Sequence, residues 1–149
     1  MSTVTDENDR ALVTRRRLAA TPAQVFDAIR DPQRLARWWG PAGFSNHFAV
    51  FEFRPGGRWQ HVMEGPDGAR YPNEAVFEAI EPDSRVVVRH VSAPGFTLRV
   101  TLAPAGSGTD LEWRQVFDTA ALRAQLQAVC EPANEQNLDR LQAELAAAS

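Results

Sequence analysis

The sequence predicts a single α+β domain in which an antiparallel sheet of short strands packs against one long C-terminal helix. Between residues 44 and 117, short segments rich in β-branched and aromatic residues alternate with turns of Gly, Pro, Asp and Ser. From Thr119 onward, apolar residues recur every three or four positions, as on an amphipathic helix. The 149 residues fit one domain, 1–149, and no linker or internal repeat divides them.

The N-terminal part of the chain predicts one strand after a loose start. Residues 1–9 are polar, and we expect them to be a loose N-terminus. Residues 11–18 are predicted to form a strand, with Leu12 and Leu18 as its apolar markers. The arginine triplet 15–17 is typical of a solvated strand face, and a phosphate site is the less favoured alternative.

Two short helices follow that strand. Thr21 suits the N-cap, Pro22 the first helical position, and Gln24 completes a capping box. The step at residues 31–32, Asp-Pro, ends this helix and begins a second one that carries Trp38 and Trp39. Adjacent helical positions point in different directions, so at most one of these two rings should face a given pocket.

Six further strands are predicted from the turn signals between them. They span residues 44–53, 58–64, 71–80, 85–91, 96–102 and 110–117. The C-terminal helix is predicted from an apolar stripe of Leu122, Leu126, Val129, Ala133, Leu138, Leu141 and Leu145. Pro132 should either kink this helix or divide it in two. The stripe needs an apolar partner, and the sheet is the only large one that the sequence offers.

Alternation along the strands predicts one face rich in aromatic rings with a few polar groups among them. That face could be a filled core, or it could be a ligand pocket, and we favour the pocket because four polar groups exceed what a core needs. The four are His61, Asn73, His90 and Gln115. The other candidate ligand-binding residues are Trp59, Met63, Phe77, Val88, Phe96, Leu98, Trp113 and, from the helix, Val129.

Composition excludes several classes of function. The net charge of −3 is poorly suited to binding nucleic acid or an anionic membrane, and the chain has no lysine for Schiff-base chemistry. No apolar run could cross a membrane and the start is unlike a signal peptide, so we expect a cytoplasmic protein. One cysteine, Cys130, permits no internal disulfide. We expect no metal and no cofactor.

Catalysis has only weak candidates in this sequence. His61, His90 and Tyr71 could exchange protons, but no nucleophile elbow, metal-binding histidine pair or phosphate loop is present. Two histidines without a third ligand make a weak metal site. We therefore expect these side chains to orient a polar group of a bound ligand, and whether the protein is an enzyme stays open.

A series of short motifs resembles the bacterial homologues of the heat-shock-protein ATPase activator, within the START-like or SRPBCC superfamily. The motifs run in the family's order, from about residue 10 to 145. They are Ala-Thr-Pro at 20–22, Trp-Trp-Gly-Pro at 38–41, Arg-Pro-Gly-Gly at 54–57, Gly-Pro-Asp-Gly at 65–68, Tyr-Pro at 71–72 and Leu-Asp-Arg-Leu at 138–141. The resemblance implies a helix-grip fold: a bent antiparallel sheet of about seven strands wrapped around a long C-terminal helix, with two short helices near the N-terminus.

Three positions depart from the family's pattern. Ala133-Asn134 stands where the family commonly has Gly-Trp, His61 where it usually has an aromatic residue, and Glu52 where it often has Asp. If Asn134 points inward, the lost indole enlarges the pocket and adds a donor and an acceptor, so Asn134 joins the candidate ligand-binding residues.

The resemblance implies three kinds of function. The first is a sensor, carrier or sequestering protein that binds a small apolar or aromatic molecule between the sheet and the C-terminal helix. The second is a cochaperone-like protein that stimulates a heat-shock-protein ATPase, and the third is a cofactor-independent cyclase or hydrolase that uses the pocket histidines. Exposed sheet edges also leave a homodimer open.

Overall fold

A computed structural model describes residues 7–148 and has the predicted helix-grip arrangement. Its elements are α1 Glu7–Arg10, β1 Ala11–Leu18, α2 Pro22–Arg30, α3 Pro32–Trp38, β2 Ser45–Phe51, β3 Arg58–Glu64, β4 Arg70–Glu81, β5 Arg85–His90, β6 Phe96–Ala105, β7 Gly108–Phe117 and α4 Ala120–Ala147. The strands form one antiparallel sheet in the order β1-β7-β6-β5-β4-β3-β2. None of the helices within residues 7–148 is long and apolar enough to span a bilayer.

The prediction of a loose N-terminus over residues 1–9 is wrong for residues 7–9. Residues 1–6 lie outside the described residues. Residues 7–10 form the short helix α1, which contacts β1, β7 and α4. The Glu7 carboxylate accepts hydrogen bonds from Arg99 and Arg114, which are directly opposite each other on β6 and β7. Two like charges in that register repel, and the carboxylate between them removes the repulsion.

Helices α2 and α3 begin as the sequence predicts. The Thr21 hydroxyl accepts from the backbone N–H of Gln24 at 3.2 Å, and the Gln24 amide oxygen accepts from the N–H of Thr21 at 2.8 Å. Asp31 caps α3, with its carboxylate 2.9 Å from the backbone nitrogen of Gln33. Both helices lie on one face of the sheet, which we call the inner face. Their buried residues are Val25, Phe26, Ala28, Ile29, Leu35 and Trp38.

Helix α4 runs without a break through Pro132, so the two-helix alternative is wrong. Pro132 and Ala128 are both exposed, and the carbonyl that proline leaves without its helical partner faces water. The predicted stripe is wrong at Val129, which is 67% exposed. At about 100° per residue Val129 lies about 140° around the helix from Asn134, while Cys130 lies close to it. The buried face carries Asn134, Asn137, Leu138 and Leu141.

Trp38 lies in the core and Trp39 packs against it, whereas the sequence predicts that at most one of the two rings faces a given pocket. Trp38 is the last residue of α3, and its Nε1 donates to the carbonyl of Ala28 at 2.9 Å. Trp39 has left the helix, with φ −69° and ψ 135°. Its side chain therefore no longer follows the helical rotation, and both rings contact Trp113, at centroid distances of 6.3 and 5.5 Å.

Arg140 of α4 joins the loop after α3 to the helix. Its guanidinium donates five hydrogen bonds, all to backbone carbonyls, at 2.7–3.0 Å. The acceptors are the carbonyls of Arg37, Trp39, Gly40, Pro41 and Phe44. Gly40 has φ +94°, and a Cβ there would lie 2.7 Å from Met63 Cε, so the loop also requires this glycine.

Ion pairs hold the same half of α4. The Glu144 carboxylate accepts from Arg34 and Arg37 of α3 at 2.8–3.0 Å. Arg16 of β1 donates to Glu135, Asp139 and Gln142 of α4, each at 2.9 Å. The arginine triplet of β1 is thus divided between the faces, because Arg15 and Arg17 pair with Glu112 and Asp110 on the outer face. The solvated-face interpretation holds for these two and is wrong for Arg16.

Replacing Arg140 by methionine should destabilise the protein by about 3 kcal/mol or more, because five carbonyls lose a charged donor. Urea unfolding of Arg140→Met measures this, with Arg30→Met as the control, since Arg30 is exposed and pairs with Asp27 of its own helix α2. The control should change stability by about 0.5 kcal/mol or less. Equal stabilities of the two variants would contradict the role given to Arg140.

Candidate functional site

Inward-facing side chains become more exposed toward one end of the strands. On β4, Phe77 and Ala75 are buried, Asn73 is half-buried and Tyr71 is 48% exposed. Neighbouring strands show the same trend in matching register. We call this end the mouth, and define it by Met63, Tyr71, Asn73, His90 and Phe96. The inner face is therefore closed at one end and accessible at the other.

Aromatic rings fill the closed end. Trp59 is 2% exposed and stacks on Phe77 with a centroid distance of 5.8 Å and an interplanar angle of 4°. Trp39 lies between Trp59 and Trp113, 4.9 and 5.5 Å from their rings. Trp59, Phe77 and Trp113 were predicted as pocket residues, and they form the wall behind the mouth.

His61 lies between this wall and the mouth. It is 4% exposed, stacks on Trp59 at 4.5 Å and meets the edge of Phe48 at 5.5 Å. Neither ring nitrogen has a hydrogen-bond partner among the described residues. Burial, and next the nearby charge of His90, lowers the pKa of His61 to about 4. At neutral pH the ring is uncharged, with one donor and one acceptor that the protein leaves unused.

His90 is held on both sides. Its Nδ1 lies 2.8 Å from the carbonyl oxygen of Pro94, and its Nε2 lies 2.7 Å from Oδ1 of Asn73. Both of these oxygens can only accept, so the two hydrogen bonds together require a proton on each ring nitrogen, as in the charged imidazolium. Burial lowers the pKa of His90, and the bond to Pro94 opposes this. Asn73 in turn donates to the carbonyl of Tyr71 at 2.8 Å, which fixes the row of polar groups across β4 and β5.

Gln115 and Asn134 join the sheet to α4. Both are buried, and the Asn134 amide nitrogen donates to the Gln115 side-chain oxygen at 3.0 Å. Asn134 therefore points inward, the orientation in which it joins the candidate ligand-binding residues. Its hydrogen bond to Gln115 connects α4 to β7 at this position.

The other predicted site residues differ in position. Val88 and Leu98 are buried in the core, and Val129 lies on the exposed side of α4. Three surface grooves have volumes of about 410, 490 and 410 Å³. Of the predicted residues, these three grooves include only His61 and Asn73, both in the last groove, beside Gln60, Glu74 and Ser92.

Sequence reasoning missed two residues of the site. Asn46 of β2 faces inward, where its side-chain nitrogen donates to the carbonyls of Ala36 and Trp39 at 3.0 and 2.8 Å. The alternation of β2, interrupted by a bulge between Phe48 and Val50, did not single it out. Cys130 lies on the buried side of α4, and burial raises the pKa of its thiol.

Within residues 7–148, no three His, Cys, Asp or Glu side chains are placed to hold a metal ion together. The inner face instead offers apolar and aromatic surface with a small number of fixed polar groups. Such an arrangement suits recognition of a small, largely apolar molecule.

The depressed pKa of His61 should appear in the pH dependence of stability. The unfolded chain takes up a proton near pH 6.5 and the folded chain only near pH 4, so this contribution to stability is complete above pH 6.5 and is lost as the pH falls toward 4. Between pH 7 and 5 the loss should be about 2 kcal/mol. Urea unfolding at both pH values measures it, and His61→Phe should remove it.

His47→Phe is the matched control, because His47 is exposed on the neighbouring strand. It should keep the pH dependence of the original protein, and all three proteins share the same carboxylates. A His61→Phe variant that loses as much stability as the control between pH 7 and 5 would show that His61 is not buried in its neutral form.

Comparison with solved structures shows how widely this fold occurs. A protein from Nitrosomonas europaea has a TM-score of 0.85 and 23% identity, over 93% of this chain and 95% of that one. A protein from Rhodobacter sphaeroides has a TM-score of 0.84 and 27% identity, over 95% of each chain. An AHSA1-like protein from Aeromonas hydrophila has a TM-score of 0.76 and 23% identity, over 93% of each chain. Comparison with curated proteins finds no match.

Comparison with protein families gives a match over most of the chain. Residues 19–146 match the family described as activator of Hsp90 ATPase homolog 1-like protein. This range contains both short helices on the inner face, the strands β2 to β7 and nearly all of α4. The motifs, the helix-grip fold and this match agree, and the chain belongs to the family of activator of Hsp90 ATPase homolog 1-like proteins.

Proposed function

We propose that the protein binds a small apolar or aromatic molecule between the mouth and the first half of α4, as a cytoplasmic sensor, carrier or sequestering protein. The observation that carries this proposal is the partial exposure of the inward-facing side chains at the mouth. Met63 and Phe96 offer apolar contact there, while Asn73 and His90 offer polar groups already fixed in orientation. A preformed, mostly apolar site with few polar groups needs little reorganisation on binding.

The uneven attachment of α4 supports the same location. Residues 134–144 carry the buried leucines, the ion pairs and Arg140, whereas Leu122, Leu126 and Cys130 in the first half are only half-buried. In that half, Thr119 caps the helix and Arg123 donates to the carbonyl of Ala11 at 3.1 Å. Segments with few buried contacts open at a low cost in free energy, which gives a ligand a route to the inner face.

Cys130 allows this site to be tested with 2-naphthol as a probe. Isothermal titration should show saturable binding with one molecule per chain, and alkylation of Cys130 by N-ethylmaleimide should become several-fold slower when the probe is bound. Cys130→Phe should place a large ring between α4 and the inner face of the sheet. We expect it to weaken binding by about tenfold or more, and each tenfold is 1.4 kcal/mol. The control is Ala128→Phe, on the exposed side of the same helix.

Equal affinities of Cys130→Phe, Ala128→Phe and the original protein would contradict binding under α4. Absence of binding by 2-naphthol and by a wider set of apolar aromatic molecules would contradict the proposal as a whole. The alternative would then be the interaction with a chaperone ATPase that the family's description suggests, measured by adding this protein in excess to that ATPase.

A further inference from the structure

A small group of buried polar atoms on β2 and β3 has no hydrogen-bond partner among the described residues. The atoms are Nε1 of Trp59, both ring nitrogens of His61 and Oδ1 of Asn46. Trp59 and His61 are 2% and 4% exposed. A buried polar atom without a partner is destabilising, and a bound polar group at these four atoms would remove that cost.

These atoms belong to neighbouring positions of the inner face. Trp59 and His61 are two residues apart on β3, so they share a face, and their rings stack at 4.5 Å. Asn46 lies two residues before Phe48, which is the register partner of His61. The group therefore borders the mouth through Met63, the register partner of Asn46.

The hydrogen-bonding roles of the four atoms follow from their chemistry, with either ring nitrogen of His61 able to carry the proton. The indole of Trp59 can only donate, and the neutral imidazole of His61 has one donor and one acceptor. The Asn46 amide nitrogen already donates to two carbonyls, which identifies its other atom as the acceptor oxygen. A ligand group that satisfies this set must both accept and donate. A hydroxyl group does so, whereas a carboxylate only accepts and would face the acceptors of His61 and Asn46.

The electrostatics of the region also disfavour an anion. The guanidinium of Arg140 and the side chain of Met63, which borders the group, are both neighbours of Gly40. The hydrogen bonds of this guanidinium go to five backbone carbonyls. Burial of His61 favours its uncharged form. Among the described residues, the groups near this region that can carry positive charge are Arg140 and His90, and both already contact oxygen atoms of the protein. An anion brought here would lose its hydration without gaining a cation whose donors are free.

We propose that the ligand is an uncharged aromatic alcohol or phenol whose hydroxyl accepts from Trp59 Nε1 and donates to the unprotonated ring nitrogen of His61. The proposal rests on the function proposed above, because it names the chemical class of that ligand. The aromatic part of the molecule lies toward the mouth, against Met63 and the ring of Phe48. Asn46 accepts from a second hydroxyl where the molecule carries one.

Three probes of one shape test this at pH 7.5: 2-naphthol, naphthalene and 2-naphthoate. Isothermal titration should give 2-naphthol an affinity about tenfold or more above those of the other two, since one satisfied pair of hydrogen bonds is of that order. In His61→Phe, the ratio of the affinity for 2-naphthol to the affinity for naphthalene should fall to about twofold or less. His47→Phe should keep the ratio of the original protein. Trp59→Phe, which keeps a ring and removes the donor, should reduce the preference independently of His61.

The outcomes separate the two proposals. If all three probes bind alike, or if 2-naphthoate binds best, a site exists and the hydroxyl assignment is wrong. The assignment is also wrong if the preference survives in both His61→Phe and Trp59→Phe. If none of the three probes binds, the hydroxyl assignment is wrong, and the binding function is contradicted as well when the wider set of apolar aromatic molecules also fails to bind.

Discussion

The guanidinium of Arg140 is the interaction on which the arrangement of this protein depends. It satisfies five carbonyls of the segment that joins α3 to β2, so the helix, the loop and the edge of the sheet are fixed by one side chain. Trp39 lies in that segment, and its position between Trp59 and Trp113 follows from it. The family motif at 138–141 therefore marks a structural requirement, with Arg140 between two fully buried leucines.

The same attachment of α4 supports the location of the proposed binding site. The second half of α4 is held by Arg140, by Glu144 with α3 and by Arg16 of β1, so the sheet beneath it is closed and filled with aromatic rings. The first half has fewer attachments, and the inward-facing residues there stay partly exposed. The second half of α4 is thus fixed to the sheet by several side chains, whereas its first half is less firmly attached. At the border between the two halves, Trp59 and His61 carry polar atoms that have no partner among the described residues, and the proposed ligand would supply one.

Much of the fold could be predicted from the sequence, because alternation, capping boxes and turn residues act locally. The strand faces and the cap at Thr21 are correct for that reason. Steps of three and four residues in the sequence did not exclude Val129 from the apolar stripe, although its side chain is exposed. Whether a helix can continue through Pro132 depends on which side of α4 faces water, and the sequence pattern did not show this. For the site, the inward position of His61 could be predicted. Its missing partners could not, since they depend on every side chain around it.

Binding of a hydroxylated aromatic molecule at Trp59 would change the environment of one indole N–H group. Two-dimensional ¹H–¹⁵N NMR spectra during titration with 2-naphthol detect that change, because each of the four indole N–H groups gives its own signal. We expect a saturable downfield shift of the Trp59 indole signal, larger than that of Trp38, whose indole already donates to Ala28. Assignment of the Trp59 signal follows from its absence in Trp59→Phe. An unchanged Trp59 signal at saturating 2-naphthol would show that the proposed hydrogen bond does not form.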